Sequence, residues 1–443
     1  MTSSPTAVGR TPFLLSAKLS LMMFLQYAIW GAWLPILYPF LLGHRGFTLK
    51  ETGLCLSAGA VGAIFGPFLA GQLADRSFAT EKILAVSHLA GAALIYFLAE
   101  ADSFAIFAAL SLVYGFVYAP TIALTNSLTF AHISDRDRDF GPIRLWGTIG
   151  WIVASILVGQ YLFRYATPDV GSAEEIAAAQ NAGRIFAFHL SAVLGAVMGV
   201  FCFFLPHTPP AKDEGQKMAF AEAFSEIRVQ PLLTLFLIAV PISMVHQFYF
   251  VFASEFITNI QNAAASDGAD KLATSINSVF GVGGGGLMTI GQFCEIPVLA
   301  LIPFVSKRVG RKWLLAVGII AYALRMAIFA YAPSLVPVMV GITLHGVCFG
   351  CFIFVAFMVV DEQTTADVRA SAQNLFNLVI VGIGIIAGSY FATGVVGDWA
   401  ALPEGGMNYV RLFSVPMWIA LGCLAALLFF YPSRVTRVEP SAT

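Results

Sequence analysis

The sequence predicts an all-α membrane protein in which twelve transmembrane helices form two pseudo-symmetric six-helix bundles. Composition is the first ground: of 443 residues, 58% are hydrophobic and 11% charged, with a mean hydropathy of +0.81, more apolar than a water-soluble core requires. The length of the apolar runs is the second. A hydrocarbon core of about 30 Å calls for roughly 20 apolar residues per helix. Runs of that order lie near 15–41, 50–74, 82–101, 104–132, 142–164, 184–206, 231–260, 284–306, 313–332, 335–360, 369–394 and 410–432. They are too long, and alternate too little, for barrel strands. Internal duplication is the third ground: Pro67 to Lys82 and Pro297 to Lys312 have the same 15-residue separation, and both lead through a short polar turn into KILAV or KWLLA.

The first span exceeds a signal-peptide core and no small-residue cleavage site follows it, so it is read as a helix despite the flanking Arg10 and Lys18. With both termini inside, 17 of the 24 Lys and Arg residues fall on or beside cytoplasmic loops, six fall outside, and Arg325 lies within a span. The positive-inside rule therefore places both termini in the cytoplasm. Residues 207–230 hold most of the polar residues of the middle of the chain, and six spans stand on either side. This divides the chain into a bundle over 1–206, a cytoplasmic linker over 207–230 and a bundle over 231–443. Gln26 in span one corresponds to Gln247 in span seven, and Arg144 and Arg369 both open the fifth span of their half. Parallel halves with a site between them near mid-bilayer are a transporter architecture.

The loops leave little mass for a soluble catalytic domain. GVGGGG (Gly281 to Gly286) lacks the preceding strand and following Lys-Ser/Thr of a phosphate-binding turn and reads as a flexible lead into span eight. DRDRD (Asp135 to Asp139) reads as a solvated turn. The cysteines, Cys55, Cys202, Cys294, Cys348, Cys351 and Cys423, all fall within spans, where they act as small apolar residues. The CxxC at Cys348 and Cys351 is read as packing rather than a redox or zinc pair. No cofactor and no metal is expected.

Four spans carry polar or aromatic residues at helical spacing, which gathers each set on one face. Span five has Arg144, Thr148 and Trp151; span seven has Gln247, Phe250 and Ser254; span eight has Gln292 and Glu295; span ten has His345, Phe349 and Phe352. Each stripe alone is explained by helix packing, but four divided between the halves predict a shared polar cavity, and Gln26 joins them through its match to Gln247. Arginine offers forked hydrogen bonds, the glutamines offer donors and acceptors, and the aromatics can cover a ring face. A hydroxylated, ring-bearing solute fits such an inventory, whereas a polyanion does not, because Glu295 opposes Arg144 and Arg325.

An ionisable group at membrane depth marks a functional site. Glu295 lies 14 residues before the turn near Val309 and Arg325 lies 16 after it, so both stand roughly 21 to 24 Å from that turn and can meet. Desolvation favours a protonated carboxyl and a nearby guanidinium favours its ionised form, so a contact made in one conformation only would couple proton movement to shape change; a permanent ion pair that merely orients the helices is the alternative. His345 is a candidate to share that proton.

FLQYAIWGAW (Phe24 to Trp33), GPIRLWGTIGW (Gly141 to Trp151), GQFCEIPVLALIPF (Gly291 to Phe304) and VRASAQNLF (Val368 to Phe376) give a chain that resembles, from about 18 to 432, the nucleoside:proton symporters of the major facilitator superfamily; GQLADR (Gly71 to Arg76) marks the superfamily alone. The resemblance implies that substrate is held by Arg144, Thr148, Gln247, Gln292, Glu295 and Phe349, with an aromatic at Trp151 and a span-ten contact at His345. It also implies proton-coupled inward transport. Two positions depart from the family pattern: Phe250 stands where the family has a polar amide, and Gly350 where it has an acid next to Phe349. The sugar:proton symporters related to lactose permease are similar at Arg144, Trp151, Glu295, Arg325 and the Leu344-His345 pair, although their span-ten carboxylate would fall at Cys348.

The reading is thus a monomeric multi-pass symporter of the cytoplasmic membrane, with a nucleoside or else a sugar, protons and the bilayer as its partners and no nucleic acid. A non-transporting receptor is a remote alternative. An enzyme is excluded because no nucleophile set, metal cluster or acid-base pair of carboxylates converges at one depth.

Overall fold

Hydrocarbon offers backbone amides no partner, so apolar runs of this length close their hydrogen bonds internally as helices. The computed structural model describes residues 10–76, 78–209, 225–266, 271–365 and 368–432. Its twelve long helices are α1 (Phe13–His44), α2 (Leu49–Arg76), α3 (Thr80–Glu100), α4 (Phe104–His132), α5 (Arg136–Tyr165), α6 (Ile185–Cys202), α7 (Leu232–Ser266), α8 (Gly285–Val305), α9 (Arg311–Tyr331), α10 (Leu335–Gln363), α11 (Ser371–Ala400) and α12 (Tyr409–Phe430). Among the described residues, eleven helices are long and apolar enough to cross a membrane, and the 28-residue α2 stands beside them. Two short helices, Ala173–Gly183 and Lys271–Phe280, lie at the end away from the termini.

The helices are not uniform. Pro35 and Pro39 remove backbone donors from α1, which passes into a 3₁₀ turn at Leu34–Ile36 and a π turn at Phe40–His44. Further π segments interrupt α10 at Phe349–Phe354 and α11 at Leu378–Gly384 and Phe391–Gly397.

Helix pairing repeats between the halves. In the first, α1 packs on α5, α2 on α4 and α3 on α6; in the second, α7 packs on α11, α8 on α10 and α9 on α12. Across the halves α5 packs on α8 and α2 on α11. Two apolar cores result, one built from residues between Leu19 and Leu205 and the other from residues between Ile227 and Tyr431. Each also takes one residue from the other half: Val282 joins the first, and Tyr38 the second.

Several expectations change. α5 begins at Arg136, not near 142, so DRDRD leads into its first turn, where Arg136 and Arg138 are exposed and the Thr11 hydroxyl donates to Asp139 Oδ2 at 2.6 Å. Arg144 is therefore eight residues inside α5, about 12 Å along the axis, whereas Arg369 is the first residue of the helical segment Arg369–Asn377 that leads into α11. The GVGGGG segment is a tied turn: Gly281, Gly283 and Gly284 take φ of 73°, 85° and 77°, and Gln261 donates to the Gly281 carbonyl at 3.0 Å while accepting from the Gly284 amide at 3.3 Å. Most of the 207–230 linker, residues 210–224, lies outside the described residues, as do the side chains of GQLADR.

The tightest crossing near the middle of the second half is α8 on α10. A side chain at Gly346 would place its Cβ 2.5 Å from the Cys294 carbonyl carbon and 2.6 Å from the Glu295 nitrogen. Gly346→Leu should therefore part the two helices at a cost of about 1 to 3 kcal/mol, read as a lower midpoint of thermal unfolding in detergent. An unchanged midpoint would contradict the backbone contact.

Candidate functional site

The site forms where α5 of the first half meets α8 of the second. Arg144 folds back over Tyr27 of α1, its guanidinium carbon 3.9 Å from the ring centroid. Gly147 makes room for this: a Cβ there would lie 2.6 Å from Tyr27 Cδ2 and 2.7 Å from Arg144 Nη1. A desolvated guanidinium over a tyrosine face is held by up to about 2 kcal/mol. Across the seam stands Glu295, ten residues into the 21-residue α8 and so at its midpoint. α5 packs on α8 across the two halves, which sets the Arg144 helix beside the Glu295 helix. Glu295 makes no ion pair or hydrogen bond among the described residues, and α10 approaches its backbone closely at Gly346.

Around this pair the other predicted residues divide. Thr148 and Trp151 follow Arg144 on one face of α5, both half-buried. Gln292, one turn before Glu295, is 8% exposed, and its Oε1 is buried with no hydrogen-bond donor among the described residues. Gln247 of α7 donates through Nε2 to Ser389 Oγ of α11 at 3.0 Å. Phe349 is half-buried where the π segment of α10 opens. At Gly350, where the family has an acid, a Cβ would come within 2.6 Å of Val298 Cγ1 on α8, so the space an acidic side chain would need is filled by valine.

Arg325 does not meet Glu295. It is fully buried, its Nη1 donates to His345 Nδ1 at 3.1 Å, and its guanidinium carbon lies 4.3 Å from the Tyr249 ring centroid and 5.2 Å from that of Tyr322. Because a guanidinium only donates, His345 Nδ1 accepts, which makes His345 a neutral ring with its proton on Nε2 in this contact. Phe250 packs 6.0 Å from His345 and 5.0 Å from His246 between ring centroids. Gln26 is also fully buried and committed: its Nε2 donates to Thr121 Oγ1 at 2.8 Å, and its Oε1 accepts from His88 Nε2 at 2.9 Å. The expected one-conformation contact of Glu295 with Arg325 is thus not formed here, and Gln26 stands within the first half's own packing.

Sequence reasoning passed over Tyr27, His246, Tyr322 and Ser389. His246 shares a 2.7 Å hydrogen bond with the Tyr322 hydroxyl and stacks on His345 at 5.5 Å. The stripe rule could have found His246, since it stands four residues before Phe250 and packs on it. Tyr27 lay one residue after Gln26 within the quoted FLQYAIWGAW segment but offered no pattern of its own.

A family model described as nucleoside H+ symporter matches residues 13–435. The chain belongs to that family. It is 33% identical over 440 residues to the putative nucleoside transporter YegT of Escherichia coli, covering 96% of each chain, and 26% identical to the xanthosine permease of the same organism over 88% of this chain and 91% of the other. The crystal structure of the nucleoside transporter NupG superposes with a TM-score of 0.79 at 24% identity, covering 94% of this chain and all of that one, which establishes the major facilitator fold. This member of the symporter family is therefore a multi-pass membrane transporter and not an enzyme.

If the Tyr27 ring sets the Arg144 guanidinium, Tyr27→Leu should weaken solute binding by about fivefold, while Tyr27→Phe, which keeps the ring face, should bind like the parent. Equilibrium binding to purified protein measures this; equal loss in both variants would point to the hydroxyl instead.

Proposed function

We propose that this chain takes up nucleosides together with protons across the cytoplasmic membrane, by alternating access to a site between α1, α5, α7, α8 and α10. The observation that carries the reading is the packing of α5 on α8 across the two halves, with one half-buried base, Arg144, on the first and one half-buried acid, Glu295, on the second. A solute with ribose hydroxyls and an amide-bearing base has groups for every side chain around it. Arg144 and Thr148 would hold hydroxyl or carbonyl oxygens, Gln247 and Gln292 would pair with the polar edge of the base, and Trp151 and Phe349 would cover its faces. The orphaned Oε1 of Gln292 is the acceptor such an edge would meet. Phe250, in place of an amide, gives the base one apolar wall.

Proton coupling falls to Glu295 in this reading. Gly350 carries no acid, Arg325 and His345 satisfy one another, and Glu295 alone shares its surroundings with the solute-binding groups. Arg144 favours the ionised carboxylate; solute drawing that guanidinium away would favour the protonated one. Residues 1–206 and 231–443 would be the two moving bundles, with 207–230 joining them on the cytoplasmic side, where the excess of Lys and Arg puts both termini. Sugar uptake is the second reading, favoured by the contact between Arg325 and His345, at positions that also resemble the sugar symporters.

Uptake into proteoliposomes under an imposed pH gradient decides between them. Labelled nucleosides should accumulate; accumulation of a mono- or disaccharide in their place would select the second reading. Glu295→Gln should abolish uphill accumulation while exchange of solute across the membrane persists, and normal uphill uptake by that variant would remove Glu295 from the mechanism. Arg144→Ala should lower affinity at least tenfold, the loss expected when a charged hydrogen-bonding partner of about 1.5 to 3 kcal/mol is removed.

A further inference from the structure

The two halves are closed against one another at the end away from the termini. Hydrogen bonds and ion pairs join the halves at that end, while nearer the middle Ser57 Oγ donates to the Ile386 carbonyl at 3.3 Å, about two turns into α2. The Val282 amide donates to the Gly159 carbonyl at 3.1 Å, and Gln160 Nε2 donates to the carbonyls of Ser278 and Val279 at 2.9 and 3.0 Å. Arg184 Nη2 reaches Glu255 Oε2 at 3.5 Å, Asn262 donates to Gln180 Oε1 at 3.4 Å, and Lys50 pairs with Asp398 at 3.3 Å.

The centre of this seam is backbone on backbone. A Cβ on Gly281 would overlap the peptide between Gly159 and Gln160, and one on Gly159 would lie 2.5 Å from the Phe280 carbonyl oxygen. The positive φ of Gly281, and of Gly283 and Gly284 after it, bends the chain so that Val282 turns into the first half's core. Tyr38 makes the reverse insertion, packing at 4.9 Å from the Phe252 ring in the second half's core. The turn keeps its shape from its own side: Ser254 Oγ donates to the Gly283 carbonyl at 2.9 Å, and Gln261 bonds Asn277 at 2.8 Å as well as the turn's backbone.

We infer that the Gly281–Gly284 turn, seated on Gly159 and Gln160, is the latch that seals the solute path at this face, and that it must part for solute to enter there. The latch is preformed on the second half, by Gln261 and Ser254, while its own bond to the first half goes to Gly159 and the residues just before it, Ser278 and Val279, accept from Gln160. Separation therefore breaks the contacts at one face and leaves the turn intact, as a reusable closure requires. This inference rests on the alternating-access reading but not on which solute is carried.

Accessibility of a cysteine between the halves tests it without any solute. With Thr148→Cys as reporter, labelling by a membrane-impermeant maleimide is measured as the increment over the same chain with Thr148 intact. The reporter should be protected in right-side-out vesicles and labelled in inside-out ones. Gly159→Val, which wedges the seam, should raise right-side-out labelling by about tenfold, and Gln160→Ala, which removes two bonds and adds no bulk, by about twofold. Should Gly159→Val fail to reach the membrane, Gln160→Ala and Glu255→Gln decide. A reporter that stays protected in the variants that do insert, with uptake at the parent rate when the same seam substitutions are made with Thr148 intact, overturns the latch. A protected reporter that opens as expected, when the parent chain with Thr148 intact moves no nucleoside, would instead leave the latch standing and remove the proposed cargo.

Discussion

The structure depends on the price of placing charge in hydrocarbon. Backbone amides avoid it by forming helices, but side chains that must carry charge or accept hydrogen bonds have to face one another. Arg144 and Glu295 stand on two helices, one from each half, that pack on one another, and small residues shape the space near them. Gly147 opens the space in which the guanidinium lies on Tyr27, and Gly346 lets α10 approach the backbone of α8 at Cys294 and Glu295.

The same constraint is met differently at Arg325. Its buried guanidinium has aromatic faces and a neutral imidazole around it in place of a carboxylate, with Nε and Nη2 left without partners. Quadrupole attraction and one hydrogen bond hold a charge that an ion pair would hold more strongly. The second half thus keeps an electropositive core while the acid stays free at the seam, which separates a fixed charge from one able to change its state.

Much of the fold was legible in the sequence, because span length and hydropathy follow from the thickness of the hydrocarbon layer. The repeat between Pro67 to Lys82 and Pro297 to Lys312 foretold the matching helix pairs of the two halves. Arg144, Gln292 and Glu295 were legible as polar residues inside apolar runs. Other features were not, since they depend on which turn of one helix meets which turn of another. Glu295 and Arg325 share a depth, yet they face different neighbours, and depth alone does not fix azimuth. Gln26 carries the same residue type as Gln247, but Thr121 and His88 engage it within its own half. GVGGGG read as slack chain because glycine frees the backbone; here that freedom is used up by three positive φ angles and a close crossing.

The exchange of Tyr38 and Val282 has a consequence for biogenesis. Each half's apolar interior is completed by a residue that the other half contributes, so a half made alone would carry an unfilled socket and one protruding hydrophobic side chain. Burying each such residue is worth about 1.5 to 3 kcal/mol. The first half to leave the ribosome therefore reaches its final stability only after the second has been inserted, and unfolding of either is felt by both.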